Sequence, residues 1–185
     1  MIWKTIRAAG HVTAASLVIA AGVGCGRSVS PAGPLAATGA NPPPAVVRAS
    51  ASASDFRELR AATARFHDID QAAAAGWNTA VTPCMTSPAG GQGIHFGNLL
   101  LIDGGVNLLM PELLMYEPRG NGTLHLVGVE YIVPFGLWTA ASPPSLFGET
   151  FHRNEAAGLW VLHVWIWKPN PAGMHADWNP NVSCG

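Results

Sequence analysis

Apolar positions recur every three or four residues between Ser54 and Gly76, which is the pattern of an amphipathic helix. The stripe consists of Phe56, Leu59, Thr63, Phe66, Ile69 and Ala73. Ser54 is a suitable N-cap, and Gly76 stands where helices commonly end in the left-handed conformation. We therefore predict one helix over this stretch, with its apolar stripe facing the rest of the domain.

After Trp77 the pattern changes to short apolar runs that are separated by proline and glycine. Four runs have the length and composition of strands, namely 79–82, 111–117, 123–133 and 159–167. The glycine-rich stretch 85–98 is predicted to be a loop, as is the long stretch 136–158, which is placed to cover a pocket. This order predicts an α+β fold, with one N-terminal amphipathic helix packed on a curved antiparallel sheet of about four strands.

Both faces of the last predicted strand are apolar. Leu159, Val161, His163, Trp165 and Trp167 share one face, and Trp160, Leu162, Val164 and Ile166 share the other. A strand with one face in water would alternate apolar with polar residues, so this strand is expected to be central. His163 is therefore expected to be buried.

The same alternation places Glu130 on an apolar face, together with Leu124, Leu126 and Ile132. A buried carboxylate or imidazole has to be paired, neutralised or bound to a metal, because leaving it unpaired costs several kcal/mol. Glu130 and His163 are expected to be partners if their strands are neighbours in register.

Three further residues complete the predicted cluster. His95 is expected to approach from the glycine-rich loop, and Glu112 to supply the second carboxylate. Trp165 is expected to line the site beside His163, where an aromatic wall would lower the local dielectric constant.

Several functions are compatible with this cluster. His95, Glu112, Glu130 and His163 form a ligand set for zinc or another divalent metal, although no short metal-binding motif is present. His95, Glu130, His163 and Trp165 form a binding site for a small ligand. The alternatives are a metal-dependent or acid–base enzyme using Glu130 and His163, and a structural cell-envelope protein in which the pair only stabilises the core. The sequence favours a binding module and leaves the question of catalysis open.

The N-terminus has the organisation of a secretory signal peptide. Lys4 and Arg7 precede a short apolar run that is too brief for a membrane span, so residues 1–24 are expected to be removed on export. The run ends in GVGC, which resembles a bacterial lipobox with Cys25 as the lipidated residue, except that glycine replaces the usual leucine. Ordinary cleavage and an uncleaved anchor are the alternatives. Residues 25–53 are rich in proline, alanine, serine and glycine, and they are predicted to be a disordered tether.

Residues 54–185 are expected to form a single globular domain, tied to the outer side of a membrane through the lipid. If Cys25 is lipidated, the remaining pair, Cys84 and Cys184, is expected to form a disulfide bond, as is common in exported proteins. A buried thiol pair and a two-cysteine metal site are the alternatives.

The charge of this domain argues against nucleic acid as a partner. From residue 54 onward there are eleven acidic and six basic side chains, a net charge of about −5 with neutral histidines. Phosphate binding requires clustered lysine and arginine, and the domain has no basic run.

Several motifs give the chain a resemblance to a known family. PELLMYEP, VEYIVP, LFGETF and LHVWIWKPNPAGMHADWNPNVSC together resemble a family of exported bacterial proteins of unknown function. The resemblance covers most of residues 60–185 and implies export and one compact domain. It implies no activity and assigns no site residues.

Overall fold

The computed structural model describes residues 53–185. The predicted signal peptide, Cys25 and the tether up to residue 52 lie outside the described residues. No helix within residues 53–185 is both long enough and apolar enough to cross a membrane.

The predicted single helix is divided into three parts. Helix α1 spans Ala53–Thr63, a 3-10 turn spans Ala64–His67, and helix α2 spans Ile69–Ala74. The division lies at Asp68, which has extended backbone angles and whose side chain accepts a hydrogen bond from the Asp70 amide, 3.0 Å away. Asp68 therefore acts as the N-cap of α2, because an aspartate oxygen can satisfy a free amide at a helix start.

The remainder of the domain is a curled antiparallel sheet, so the α+β prediction is confirmed in this coarser form. The sheet has six strands rather than about four, in the order β1-β2-β3-β4-β8-β7, and a separate two-stranded ribbon joins β5 to β6. The strands are β1 (Thr79–Ser87), β2 (Gly90–Gly97), β3 (Leu113–Pro118), β4 (Leu124–Pro134), β5 (Ser145–Leu146), β6 (Glu149–Thr150), β7 (His152–Asn154) and β8 (Leu159–Val164). The two additional strands of the main sheet are β2 and β7, both in stretches predicted to be loops.

Strand β2 occupies the glycine-rich stretch because its glycines allow another part of the chain to approach closely. Gly91 exchanges two backbone hydrogen bonds of 3.0 Å with Asn179. A Cβ atom at Gly90 would collide with the Asn179 carbonyl group, and Gly90 also has a positive φ of 128°. The glycines, which usually disfavour strands, are here required for contact with the C-terminal segment 165–185.

The sheet is buried on both faces in its centre. The larger core lies on the face covered by α1 and α2, where the Tyr116 hydroxyl donates a 2.6 Å hydrogen bond to the Phe66 carbonyl. The other face carries a smaller cluster formed by Leu113, Ile132 and Val161.

A bulge in β4 changes which residues share these faces. Met115 pairs with Gly128 and Tyr116 pairs with Leu126, so Val127 has no partner in the register. Leu126 consequently lies in the larger core, whereas Ile132 lies in the smaller cluster. The predicted face shared by Glu130, Leu126 and Leu124 is wrong for this reason, since one inserted residue reverses the alternation.

The last strand of the sheet is shorter than predicted, and the segment after it is joined back to β1 by a disulfide bond. Strand β8 ends at Val164 rather than at Trp167. The C-terminal segment then runs back to β1 and β2, where Cys84 and Cys184 are joined. The predicted disulfide bond is confirmed.

Candidate metal centre

Three strands of the sheet each place one polar side chain on the same buried face. His95 lies on β2, Glu130 on β4 and His163 on β8, and all three are buried. Glu130 and His163 are direct partners in the register, and β3 lies between β2 and β4. The structure thus brings together three of the four residues predicted to be metal ligands.

The side chains converge on the Glu130 carboxylate. Nε2 of His95 lies 3.1 Å from Oε2 of Glu130, and Nε2 of His163 lies 3.6 Å from Oε1. One ligand atom from each residue lies within 4.8 Å of the other two. Ligand atoms that are each about 2.0–2.1 Å from a tetrahedral zinc ion are roughly 3.3 Å apart, so this spacing suits a single ion.

The ring nitrogens in this group are close to carboxylates but are not aligned with them for hydrogen bonding. Nε2 of His95 and both ring nitrogens of His163 are among the few buried polar side-chain atoms of residues 53–185 that have no hydrogen-bond partner. An unpaired buried polar atom costs about 1–3 kcal/mol. A cation between the three side chains would satisfy these atoms, because neutral imidazole nitrogen and carboxylate oxygen both offer it lone pairs.

Further contacts orient the two imidazole rings from behind. Nδ1 of His95 lies 2.7 Å from the Thr82 hydroxyl oxygen, and Nδ1 of His163 lies 3.4 Å from Oδ1 of Asp177. His152 approaches the same Asp177 oxygen with its Nε2 at 3.3 Å. The contact of His95 is a hydrogen bond, whereas that of His163 is an ion-pair contact without hydrogen-bond geometry. Metal-binding histidines commonly use their second nitrogen for such a contact, which helps to direct the other nitrogen to the metal.

The charges within the group support one another. Burial alone would raise the pKa of Glu130, but His163 and His95 outweigh it and hold the pKa below its usual range. Burial lowers the pKa of His163, whereas the carboxylates of Glu130 and Asp177 more than offset it and bring the pKa above its ordinary value. The contact with His163 is also the largest of the influences that lower the pKa of Asp177. Glu130 is therefore held as an anion, the form in which a carboxylate binds metal, whereas a metal ion would have to displace the proton that its carboxylate neighbours favour on His163.

A cavity of about 500 Å³ adjoins the three residues. Its aliphatic walls are formed by Val81, Ile102, Leu113, Ile132, Leu159 and Val161. The rim is formed by His152, Asn154 and Ala157, which are exposed, as is Val81 of the aliphatic wall. The volume is in the range of cavities that bind small molecules.

Glu112 lies apart from this group, contrary to the prediction that it supplies the second carboxylate. Its Oε2 accepts a 3.1 Å hydrogen bond from the Ile132 amide, and it lines a separate cavity with Asp103. Glu112 immediately precedes Leu113, which pairs with Glu130. Since successive side chains of an extended chain point to opposite faces, Glu112 is directed away from Glu130.

Trp165 lies behind His163 and does not line the cavity, which corrects its predicted place in the wall. Its ring is parallel to that of His163 with 6.3 Å between centroids, and it packs in a cluster with Met115 and Val182. Its Nε1 donates a 2.6 Å hydrogen bond to the Ala176 carbonyl. Trp165 thus fixes the segment that leads to Asp177, and Trp178 lines the cavity instead.

The sequence analysis did not identify four residues of the site, namely Thr82, His152, Asp177 and Trp178. Thr82 lies in a predicted strand, where nothing in the local pattern distinguishes it from a surface residue. His152 lies in the stretch 136–158, which was expected to cover a pocket, but the residue itself was not assigned to the site. For Asp177 and Trp178 a signal was available. The predicted disulfide bond returns Cys184 to Cys84, and therefore brings the residues shortly before Cys184 close to β1.

Comparison of the chain with protein-family models, with curated proteins and with solved structures finds no match. The resemblance to exported bacterial proteins therefore stays an expectation. Because a fold does not determine a function, the function has to be inferred from the geometry of the site.

Proposed function

We propose that the domain binds one divalent metal ion through His95, Glu130 and His163 and uses the ion to hold a small ligand. The observation that carries this proposal is the convergence of three buried side chains, with unpaired ring nitrogens, at one end of a cavity. Two histidines and one carboxylate are a donor set that zinc and ferrous iron use in proteins. Three protein ligands leave a coordination position for water or a ligand.

An ion pair that only stabilises the sheet would be a different use of the same residues. Such a pair is favourable when aligned hydrogen bonds offset the cost of burying two charges. Here the contacts of Glu130 with His95 and His163 lack that alignment, and a second imidazole and a cavity adjoin the pair. These features support metal binding over a purely structural role.

Elemental analysis of the full chain, purified without chelators, tests the proposal directly. We expect about one zinc or iron ion per chain, and loss of that ion in Glu130→Gln and in His163→Gln. Glu149→Gln is the matched control, because Glu149 is an exposed carboxylate on β6. A metal-free chain that also fails to take up added zinc would contradict the proposal and would leave acid–base catalysis or a structural role.

The contact between Asp177 and His163 allows a finer test of the same site. Asp177→Asn should weaken zinc binding by about 10–100-fold, since it removes the carboxylate that orients a ligand histidine. Asp70→Asn, at an exposed position of α2, should leave the affinity unchanged. Equal zinc affinity in all three proteins would show that Asp177 does not act through His163.

We also infer that the domain works outside the cytoplasm, anchored to a membrane surface by a lipid on Cys25. The signal-like N-terminus supports this inference, as does the Cys84–Cys184 disulfide bond, because such bonds persist mainly in oxidising compartments. Cys25→Ser should move the protein from the membrane fraction to the soluble fraction. Unchanged membrane association of this variant would overturn the lipid anchor.

A further inference from the structure

We infer that the small ligand of this site is a carboxylate with an apolar body, bound with its carboxylate on the metal ion. The inference rests on the proposed metal site at His95, Glu130 and His163. It is drawn from the charge at the inner end of the cavity, from the chemistry of the walls and from the distance between the metal ligands and the rim.

The charge at the inner end favours an anionic head group. A divalent ion bound by Glu130 and two neutral imidazoles retains one positive charge, and the Asp177 carboxylate, which also lines the cavity, contacts His163 and His152. An ammonium group has no lone pair with which to bind the ion and is repelled by it at contact distance, whereas a carboxylate can bind and neutralise it. No lysine or arginine is among the residues that line the cavity, so a bound anion depends on the metal for its counter-charge.

The walls favour an apolar body. Beyond the metal ligands, the same face of the sheet continues with Ile132 and Val161, which are partners in the register, and then with Leu159. Leu113 closes the same cluster from β3. Beside these aliphatic side chains a polar ligand body would lose its hydration without gaining hydrogen bonds, and an alkyl chain would gain free energy from each buried methylene group. The polar lining residues Thr82 and Gln92 are already hydrogen-bonded, to His95 and to the Asp177 carbonyl.

The direction of β8 sets the length of this body. His163 and Leu159 are four residues apart on the strand, which corresponds to roughly 13 Å at 3.3 Å per residue. Asn154 pairs with Leu159, and exposed Asn154 belongs to the rim. A chain that extends from the metal along β8 therefore reaches solvent at this point, and further methylene groups would no longer be buried.

Calorimetric titration of the zinc-loaded full chain with acetate, butyrate, hexanoate, octanoate, decanoate and dodecanoate tests the inference. We expect the affinity to rise about fourfold per methylene group for the shorter acids and to level off once the chain reaches the rim. Hexylammonium and hexan-1-ol, which carry the same chain without the anion, should bind far more weakly. The metal-free chain and His163→Gln should not bind hexanoate.

A substitution in the cavity wall tests the contribution of the ligand's alkyl chain separately from that of its carboxylate. Leu159→Gln should weaken decanoate binding severalfold and leave acetate binding unchanged, because only the longer acid reaches this position. Leu137→Gln is the control, since Leu137 is exposed and does not line the cavity.

The outcomes distinguish failure of this inference from failure of the proposed function. If the chain takes up no metal, both fail. If it binds one ion but carboxylate affinity does not depend on chain length, or is no stronger than that of hexan-1-ol, the carboxylate inference fails and the metal site stands. Equal hexanoate binding with and without metal also overturns the inference, because the head group would then not lie on the ion.

Discussion

Glu112 and Glu130 are both buried but lie in opposite electrostatic surroundings. They are close in the sheet, since Leu113, the residue after Glu112, pairs with Glu130. Glu130 faces two histidines that hold its pKa below the usual range. Glu112 faces no such cation, and burial raises its pKa to about 8, with smaller contributions from the charges of Asp103 and Glu130. The same type of side chain is therefore anionic in one position and a largely protonated hydrogen-bond acceptor in the other.

The raised pKa of Glu112 predicts a specific pH dependence of stability. The folded protein holds the Glu112 proton up to about pH 8, whereas the unfolded chain releases it near pH 4.5. Stability from this group is therefore fully present below about pH 4.5 and is lost as the pH rises towards 8, by a total of order 3–5 kcal/mol. Glu112→Gln cannot ionise, and its amide oxygen can still accept the hydrogen bond from Ile132.

Urea unfolding at pH 5, 6.5 and 8 measures this effect as the difference between the wild type and Glu112→Gln. The variant should match the wild type at pH 5 and exceed it increasingly towards pH 8. Taking the difference removes the contributions of the other titrating groups, which both proteins share. If the free energies of unfolding of the two proteins change with pH in parallel, Glu112 ionises in the folded protein as readily as in the unfolded chain, and the prediction is wrong.

At the scale of single elements, the strand pattern identified Glu130 correctly as buried but assigned it the wrong neighbours. Counting alternate residues along β4 assumes a regular strand, and the unpaired Val127 interrupts that regularity. Gly128 follows the bulge, where a Cβ atom would meet the end of the Met115 side chain and the Val164 carbonyl group. Such a bulge depends on contacts from β3 and β8, so it cannot be inferred from β4 alone.

Strand β2 is a second case in which the sequence pattern is misleading, because it predicts a loop where the chain forms a strand. Its composition is that of a loop, since glycine carries no side chain that stabilises a strand. The strand forms because β1 and β3 pair with its two edges. Its glycines also leave room for the backbone of Asn179 to pair with that of Gly91. His95 was thus recognised as a candidate ligand, but its position on a rigid strand instead of a loop could not be predicted.

At the scale of the whole described domain, the candidate site joins parts of the chain that are distant in sequence. Strands β2, β4 and β8 supply the three candidate ligands, and the C-terminal segment 165–185 supplies Asp177. The disulfide bond between Cys84 and Cys184 holds this segment, assisted by a 2.9 Å hydrogen bond from the Ser183 amide to Glu117. Stability and metal affinity are therefore expected to be coupled through the disulfide bond.

Replacement of both cysteines by serine tests this coupling without leaving a free thiol. The bond closes a loop with a sequence separation of 100 residues, so its loss should lower the free energy of unfolding by about 2–5 kcal/mol. Zinc affinity should fall as well, because a less constrained C-terminal segment holds Asp177 less firmly against His163. Urea unfolding and zinc titration of the folded variant measure the two effects separately. A loss of stability with unchanged zinc affinity would show that the remaining contacts of the segment, among them the Gly91–Asn179 pairing and the Trp165–Ala176 hydrogen bond, keep Asp177 in place, and the proposed coupling would then be wrong.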